Sequence, residues 1–536
     1  MANRKIFNFL EEGLEKVLKA QHSFRNSGKR TVTFRPFFAS LAAREIESYS
    51  LWIENGGLVT RDYDPRHVCP GRVEVRMGGY DSGGMGSWPF ELPCDLDIKS
   101  SMHEIWLASN SAFWDCVQDQ STRDLMAVGS KNQREKYRIF TKEVGDKYSG
   151  PEKRISVDLA EVEKMLKAAS AEIWQEGKNL VDADITMRVR REGRHIVNSE
   201  GARIYYDSLR SMVGVSVEAI DAHGWVIQHG RNFFPDGMVR PEHYRAIVNL
   251  GEELREELAE IIASPLQKNG SYPAILDPEN HGVLWHEMIG HALEGTSMKT
   301  ETGQNGQKED KVSLFLGKLG RKVAPEFISV DDDPTIKRLD GYYPYDDEGA
   351  RAQRVRLIER GVLRDYLHSR ESAGFFRTNS NGHARSEQSK DPVARMSNLI
   401  VRSSNEVPLD QLKENLLRIC AEQNEPYGLI FEGSAGGLTI PERSHFETYP
   451  SKIFRLYRNG KVEQVRGAYI VGTPYQIIRN IVQTSNQYGV FRGECGAQSG
   501  WVPSTQEAPH ALVNSLEINQ FPETKYQQFR KLVVKK

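Results

Sequence analysis

The sequence predicts an α+β fold in two domains, and three patterns carry this prediction. Residues 3–20 repeat apolar side chains at the spacing of one helix face. Residues 30–80 are rich in Phe, Val, Ile and Tyr, punctuated by Gly and Asp, which is typical of an antiparallel sheet. From residue 326 onward, short strand patterns alternate with tight turns. We therefore expect an N-terminal α+β domain with an antiparallel sheet, followed by a C-terminal β-rich domain.

The N-terminal half continues in this mixed pattern as far as Pro265. Further predicted elements are helices over 102–145, 158–175 and 240–264 and a meander of strands over 183–233. The last of these helices is long and amphipathic, and Pro265 disfavours its continuation. We place the boundary at this point, so the predicted domains are 1–265 and 266–536.

The C-terminal half shows one clear hairpin signal, at Asn459-Gly460. These residues tolerate the positive φ angles of a two-residue type I′ turn, so strands are expected on either side. Helices are predicted over 408–420 and 473–484. Residues 297–312 are polar and rich in Gly, Lys and Glu, which predicts a mobile insertion.

Composition and charge exclude several classes of function. The formal net charge of -2 over 536 residues gives no general attraction to nucleic acid or acidic membranes. The five cysteines are widely spaced, which argues against a disulfide framework and for a reducing compartment. No run of about 18 apolar residues is present, so no membrane-spanning helix is predicted. We expect a cytoplasmic protein without nucleic-acid or membrane partners.

The segment His286–His291 carries the strongest chemical signal of the chain. It places His286, Glu287 and His291 within six residues at the start of a predicted helix. Imidazole nitrogens are common ligands of divalent metals, and a carboxylate beside them provides a base for a water molecule. The segment therefore predicts that the C-terminal domain carries a metal-binding helix. The opposing interpretation is a pair of buried histidines that form hydrogen bonds in the core.

The spacing of the two histidines predicts a distorted helix. His286 and His291 are five residues apart, so an ideal helix would point them about 140° apart around its axis. A regular helix therefore could not direct both imidazoles at one ion. Gly290 immediately precedes the second histidine, and π-bulges in helices are frequent at functional sites. We predict such a bulge here.

A catalytic metal site needs three protein ligands and one open position. Cys495 is the best third candidate, because the flanking glycines allow a close backbone approach. Its alternative role is that of a small buried hydrophobic residue. Glu294 is the rival ligand, three residues after His291. A carboxylate at this position is equally consistent with a group that orients an imidazole.

Other charged residues have weaker functional signals. Arg385 and Arg395 are candidates to position a peptide carboxylate or carbonyl, although a salt bridge inside the fold is the more usual role. The acidic stretches 331–333 and 346–348 fit no calcium loop and are predicted to be solvated turns. His445 is interpreted as an ordinary histidine.

The motifs occur together over roughly residues 270–516. They are His286–Gly295, Val330–Asp333, Asp346–Gly349, Arg395–Asn398, Asn459–Gly460 leading to Gly467–Ala468, and Cys495–Gly496 with Pro503 downstream. In this combination and order, the sequence resembles the TldD/PmbA family of zinc metallopeptidases, and specifically its catalytic, TldD-like members. It departs from the family pattern at Thr296 and at Ser504–Glu507.

The resemblance implies that His286, His291 and Cys495 bind Zn²⁺ and that Glu287 is the catalytic glutamate. It also implies a dimer, of identical chains or with a family paralogue, whose active-site cleft accepts extended peptide. The leading hypothesis is a zinc-dependent metallopeptidase that hydrolyses peptide bonds in extended or unfolded polypeptides. The alternatives are a zinc-stabilised binding or regulatory protein with four protein ligands, and a metal-dependent amidase that acts on small molecules.

Overall fold

The computed structural model describes residues 2–25, 31–81, 83–128, 139–175, 180–298, 313–440 and 445–521. Of the predicted insertion over 297–312, all residues from 299 onward lie outside these ranges. The fold is α+β with a β-rich C-terminal half, which confirms the predicted class. None of the described helices is both long and apolar enough to cross a membrane.

Helices flank the sheets in both halves. They are α1 (Ala2–Lys19), α2 (Ile98–Val128), α3 (Leu159–Ile173), α4 (Tyr244–Ala263), α5 (Pro278–Trp285), α6 (Arg370–Phe376), α7 (Leu409–Glu422) and α8 (Pro474–Asn480).

Two predicted helices are wrong at their C-terminal ends. Residues 139–145 are not helical, because the N–H groups of Ile139 and Thr141 donate to the carbonyls of Tyr80 and Arg370 instead. The helix predicted over 473–484 ends at Asn480 and gives way to a strand. The β-branched pair that follows, Ile481-Val482, favours this change.

The N-terminal half forms one main sheet and a separate pair of strands. Its strands are β1 (His22–Arg25), β2 (Thr31–Phe34), β3 (Pro36–Glu54), β4 (Gly57–Met77), β5 (Gly84–Leu92), β6 (Lys147–Ser149), β7 (Leu180–Asn198), β8 (Arg203–Ile220) and β9 (Val226–Phe233). The order is β5-β4-β3-β7-β8-β6, and β9 also pairs with β8. The long strands run antiparallel, as predicted.

The C-terminal half is built on a 12-stranded sheet. The strands of this half are β10 (Gly270–Leu276), β11 (Ile328–Asp332), β12 (Val355–Glu359), β13 (Val362–Leu363), β14 (Ala384–Arg385), β15 (Val393–Ala394), β16 (Asn398–Ser403), β17 (Glu406–Val407), β18 (Tyr427–Ile440), β19 (His445–Tyr457), β20 (Val462–Val465), β21 (Ala468–Gly472), β22 (Ile481–Ala497) and β23 (Gly500–Gln520). β14 and β15 pair only with each other, outside this sheet. Because β10 pairs with both β18 and β23, the strands β10, β18, β19, β21 and β23 close into a ring.

The Asn459-Gly460 turn joins β19 to β20 as predicted, but the predicted type I′ geometry is wrong. Gly460 has a φ of +82°, whereas Asn459 lies outside the left-handed region. The N–H of Tyr457 donates to the carbonyl of Lys461 at 2.9 Å, so the loop contains three residues. Such a loop needs a left-handed residue at its last position, which glycine adopts without strain.

The two halves keep separate sheets. Among the described residues, no strand pairing joins a strand before α4 to a strand after it. The domain boundary predicted at residue 265 lies between these two sets of strands and stays a prediction. The halves share one small apolar cluster, in which Ile204 and Tyr206 of β8 pack with Tyr343 and Tyr345.

Buried charges also join the two halves. Arg370, which is 1% exposed, donates to the carbonyl of Thr141 and to Glu200, each at 2.6 Å. Arg44 pairs with Asp347 at 2.8 Å. Removing one partner of such a pair would leave a buried charge without compensation.

The prediction that the acidic stretches are solvated turns is wrong. Asp332 and Asp346 are buried. Asp332 accepts from the N–H of Ser397 at 3.0 Å, and His383 Nε2 lies 3.1 Å from it. Asp346 accepts from the N–H of Ala384 at 3.0 Å. These partners lie far along the chain, so no local sequence pattern could predict them.

Glu348 couples folding to pH. Burial, followed by the nearby carboxylate of Glu74, raises the pKa of Glu348 from 4.5 to about 7. The folded state therefore binds this proton more tightly than the unfolded state. Its contribution to stability is present below about pH 4.5 and is lost as the pH rises through about 7.

We expect the Glu348→Gln variant, which stays neutral, to have a weaker pH dependence of stability. Between pH 5 and pH 8, its free energy of unfolding should fall by about 1–3 kcal/mol less than that of the wild type. Urea unfolding at a series of pH values measures this difference. The exposed Glu326→Gln variant is the control, and a pH dependence identical to wild type in both variants would contradict the assignment.

Candidate metal centre

α5 delivers the His286–His291 segment into the core of the C-terminal half. Asp277 begins the helix, because its carboxylate accepts from the N–H of Asn280 at 2.8 Å. Trp285 at the end of the helix is fully buried, and its indole donates to His281 at 2.7 Å. The segment that follows therefore starts from a fixed position.

A widened turn follows α5 and removes the angular mismatch between the histidines. The N–H of His291 donates to the carbonyl of His286, five residues earlier, so the predicted π-bulge is confirmed. The centroids of the two imidazole rings lie 4.9 Å apart. Gly290 is required at this turn, because a Cβ there would lie 1.7 Å from Sδ of Met396.

The structure brings His286, His291 and Cys495 together. Their donor atoms all lie within 4.8 Å of one another. Sγ of Cys495 is 3.4 Å from Nε2 of His291. Tetrahedral zinc with bonds of about 2.0–2.3 Å sets its donor atoms about 3.3–3.8 Å apart, so this contact fits a shared ion. Two imidazoles and one thiolate are also a donor set that zinc accepts.

The surroundings of Cys495 favour its thiolate form. Burial alone would raise its pKa, but His291 and His286 hold the pKa of this thiol well below its usual range. Conversely, burial would lower the pKa of His291, but Cys495 and Glu294 outweigh burial and raise it. The sulfur therefore carries the negative charge that a metal ligand needs.

Arg395 holds the hairpin that carries Cys495. Its guanidinium is fully buried and donates to Sγ of Cys495 at 3.1 Å and to the carbonyl of the same residue at 2.7 Å. It also donates to Ser499 Oγ at 2.9 Å and to the carbonyl of Gly500 at 3.0 Å. One side chain thereby fixes both strand ends around the sulfur.

Glu294 contacts His291 on the side of the ring away from Cys495. Its Oε2 lies 3.3 Å from Nδ1 of His291. Its other oxygen accepts from the N–H of Met396 at 3.3 Å and lies 3.5 Å from Nε of Arg395. A carboxylate on one ring nitrogen fixes the tautomer and leaves the other nitrogen available to a metal.

Gln506 orients the second imidazole. Its side-chain amide lies 2.9 Å from Nδ1 of His286 and 2.8 Å from Ser504 Oγ. Gln506 belongs to Ser504–Glu507, the stretch that departs from the family pattern. The role of Gln506 follows from the strand register, which places Gln506 opposite Phe491 on the hairpin.

Glu287 lies beside the donor atoms and is 7% exposed. Its Oε2 is 4.0 Å from Nε2 of His291. The hydroxyl of Thr439 donates to this carboxylate, and it also contacts the backbone carbonyl of Glu287 at 3.0 Å. Gly437 of β18 permits this arrangement, since a Cβ there would lie 2.7 Å from Cγ of Glu287.

These groups line a cavity of about 720 Å³ to which both halves contribute. Asn232 of β9 lines it from the N-terminal half, and β18 and β22 line it from the C-terminal half. His445 also lines the cavity, with Nε2 3.5 Å from Glu447. No sequence signal identified Thr439 or His445, because neither belongs to a local motif.

Arg385 lies away from this cavity. Its guanidinium donates to the carbonyl of Met396 and lies 5.0 Å over the ring of Tyr343. These contacts support the loop that carries Arg395. Of the two arginines selected from the sequence, only Arg395 lines the cavity within the described residues.

Residues 269–520 match the family described as "PmbA/TldA metallopeptidase C-terminal domain". A protein of Methanocaldococcus jannaschii named as a metalloprotease is 32% identical over 257 residues, which cover 48% of this chain and 52% of the relative. The C-terminal half of the chain belongs to the TldD/PmbA family. A "Zinc metalloprotease TldD homolog" of Saccharolobus solfataricus is 25% identical over 270 residues, which cover 50% of this chain and 56% of the relative. The chain thus spans about half the length of these TldD/PmbA relatives.

Solved structures resemble the chain over both halves. TldE from Thermococcus kodakarensis aligns with a TM-score of 0.61 at 14% identity, covering 96% of this chain and 99% of that one. A protein of Bacteroides thetaiotaomicron named a putative modulator of DNA gyrase aligns with a TM-score of 0.64 at 15% identity, covering 97% and 100%. At these identities, the likeness shows that the N-terminal half shares the fold of those proteins.

We expect Gly290→Ala to disrupt the widened turn, because the new Cβ would displace the thioether of Met396. The free energy of unfolding should fall by about 1–3 kcal/mol, as measured by urea denaturation. The double variant Gly290→Ala/Met396→Ala removes the clash, so its loss should be smaller than the sum of the two single losses. Additive losses would contradict this account of the turn.

Proposed function

We propose that this protein is a zinc-dependent metallopeptidase that hydrolyses extended or unfolded polypeptides. The observation that carries the proposal is the convergence of His286, His291 and Cys495 in one cavity, with the carboxylate of Glu287 beside them. The names of the curated relatives agree with it.

The residues of the site would hold zinc through Nε2 of His291, the imidazole of His286 and the thiolate of Cys495. When bound there, zinc would supply a Lewis acid that polarises a carbonyl and lowers the pKa of a water molecule. Glu287 is the general base, since its carboxylate reaches the space in front of the donors and accepts a proton from water. The same carboxyl group then returns the proton to the leaving amine. Thr439 holds it in place for both transfers.

The backbone of β22 offers a docking edge for an extended substrate. Between Tyr488 and Ala497, one edge of β22 pairs with β23, and no strand of the described residues pairs with the other edge. Phe491–Ala497 line the cavity. A polypeptide added along this edge would bind through main-chain hydrogen bonds and so would be recognised with little regard to its sequence.

The contacts of Glu294 argue against a purely structural zinc site. A structural site is closed by a fourth protein ligand. Glu294, the candidate for that role, is engaged by Nδ1 of His291, the N–H of Met396 and Arg395. It therefore supports the imidazole rather than filling the fourth position. The dimeric state and the cytoplasmic location stay predictions.

We expect Glu287→Gln to abolish peptide cleavage while zinc binding is retained, because Glu287 is a base and not a ligand. The rate should fall by about 10²–10⁴-fold. Zinc content by elemental analysis and cleavage of an unfolded polypeptide measure the two effects. Glu279→Gln, on α5, is the matched control and should keep both. Wild-type cleavage by zinc-loaded Glu287→Gln would refute the assigned base.

We expect Glu294→Gln to weaken zinc binding by about 10–100-fold, because the carboxylate increases the basicity of the His291 ring. Competition with a chelator of known affinity measures the zinc dissociation constant, and thermal unfolding checks that the fold is intact. Glu326→Gln serves as an exposed control. An unchanged dissociation constant would show that Glu294 has no effect on the ligand.

A further inference from the structure

A second cavity, of about 550 Å³, adjoins the metal cavity. Glu494 and Trp501 line both cavities. Cys495 follows Glu494 along β22, and successive side chains of a strand point to opposite faces. The β22–β23 hairpin therefore forms the wall between the metal cavity and the second cavity, which lies against the sheet of the N-terminal half.

Five arginines line this second cavity, which we call the arginine pocket: Arg44, Arg188, Arg190, Arg194 and Arg210. The strand period explains their convergence, because even-numbered residues of β7 face the pocket while Val189 is buried on the other face. Arg190 of β7 lies directly opposite Arg210 of β8. Like charges at such a cross-strand pair are destabilising unless an anion neutralises them.

Most of the arginines already have carboxylate partners. Glu192 pairs with Arg190 at 2.6 Å and with Arg194 at 2.7 Å. Arg44 pairs with Asp347 at 2.8 Å. Arg188 has only a loose contact with Glu494, at 3.8 Å, and both side chains are about half exposed. These ion pairs neutralise Arg44, Arg190 and Arg194, whereas Arg188 has no close carboxylate partner.

Arg210 is the exception. Within the described part of the chain, it forms no ion pair or hydrogen bond, although its side chain is partly buried. Burial lowers its pKa to about 10, so its guanidinium is still charged at neutral pH. The nearby Asp340 is instead 3.9 Å from Arg492. A partly buried guanidinium without an ion pair favours an anionic ligand.

We propose that the arginine pocket binds a carboxylate of the polypeptide substrate, with Arg210 and Arg190 as its anchors. This inference rests on the proposed peptidase function and adds a substrate class to it. Arg210 is the one arginine of this lining for which the described residues supply no ion pair. One substrate carboxylate would neutralise that guanidinium, whereas a phosphate dianion would exceed its charge.

The carboxylate has two possible sources in a polypeptide, the C-terminus and an acidic side chain. Glu494 and Trp501 are exposed and line both cavities, so a chain that lies along β22 would pass from the metal cavity over the edge of the hairpin into the pocket. A planar carboxylate also matches the bidentate geometry of a guanidinium. Substrates with an anionic group beyond the scissile bond are therefore preferred.

Three peptides of one parent sequence test the proposal with the zinc-loaded full chain. The first has a free C-terminal carboxylate, the second a C-terminal amide, and the third the amide together with an internal Gln→Glu change. We expect kcat/KM for at least one of the acidic peptides to exceed that for the neutral amide by about tenfold or more. The acidic peptide that gains identifies the source of the carboxylate, and equal values for all three overturn the proposal.

Variants of Arg210 assign the preference to this pocket. Arg210→Gln should reduce the preference for acidic over neutral peptide to about onefold, and Arg210→Lys should keep part of it because the charge is retained. Arg203→Gln, on the same strand but outside the pocket, is the matched control. A preference that survives in Arg210→Gln would overturn the assignment.

A binding measurement separates this proposal from the proposed function. The zinc-loaded Glu287→Gln variant and a fluorescent label on each peptide give dissociation constants without cleavage. If the wild type cleaves none of the peptides but binding still favours the acidic ones through Arg210, then the peptidase proposal fails and the carboxylate site stands. If binding shows no such preference, the carboxylate site fails whatever the cleavage result.

Discussion

One hydrogen bond, from the N–H of His291 to the carbonyl of His286, underlies the candidate metal site. It spans five residues instead of four, so it rotates the second imidazole onto the face that carries the first. Gly290 makes room for the bond, and Met396 packs into the space that a larger residue would fill. A helix with ordinary hydrogen bonding would keep the same residues and lose the site.

The site is built in layers around this turn. Glu294 and Gln506 each contact one imidazole, and Arg395 contacts the sulfur. These supporting groups are buried, Glu294 contacts Arg395, and Gln506 contacts Ser504, so the donor atoms have little freedom to separate. Such preorganisation keeps the cost of ordering the ligands low when an ion binds.

The sequence predicted which donor residues converge better than it predicted the residues that support them. His286, Glu287, His291 and Cys495 could be found because their types and spacing carry chemical meaning by themselves. Thr439 and His445 could not be found in this way. The folded sheet brings Thr439 to Glu287, which is 152 residues away, and places His445 at the cavity. The same reason explains why the acidic residues near 332 and 346 were mistaken for solvated turns: their partners lie 65 and 38 residues away.

His291 and Cys495 are separated by 204 residues of chain. Bringing them together requires nearly the whole C-terminal sheet, because Cys495 lies on the last hairpin and His291 precedes most of the strands. During synthesis from the N-terminus, the imidazole pair would thus emerge long before the sulfur that completes the set. If the centre has the function that we propose, late completion of this kind delays its competence until its own polypeptide has left the unfolded state on which it would act.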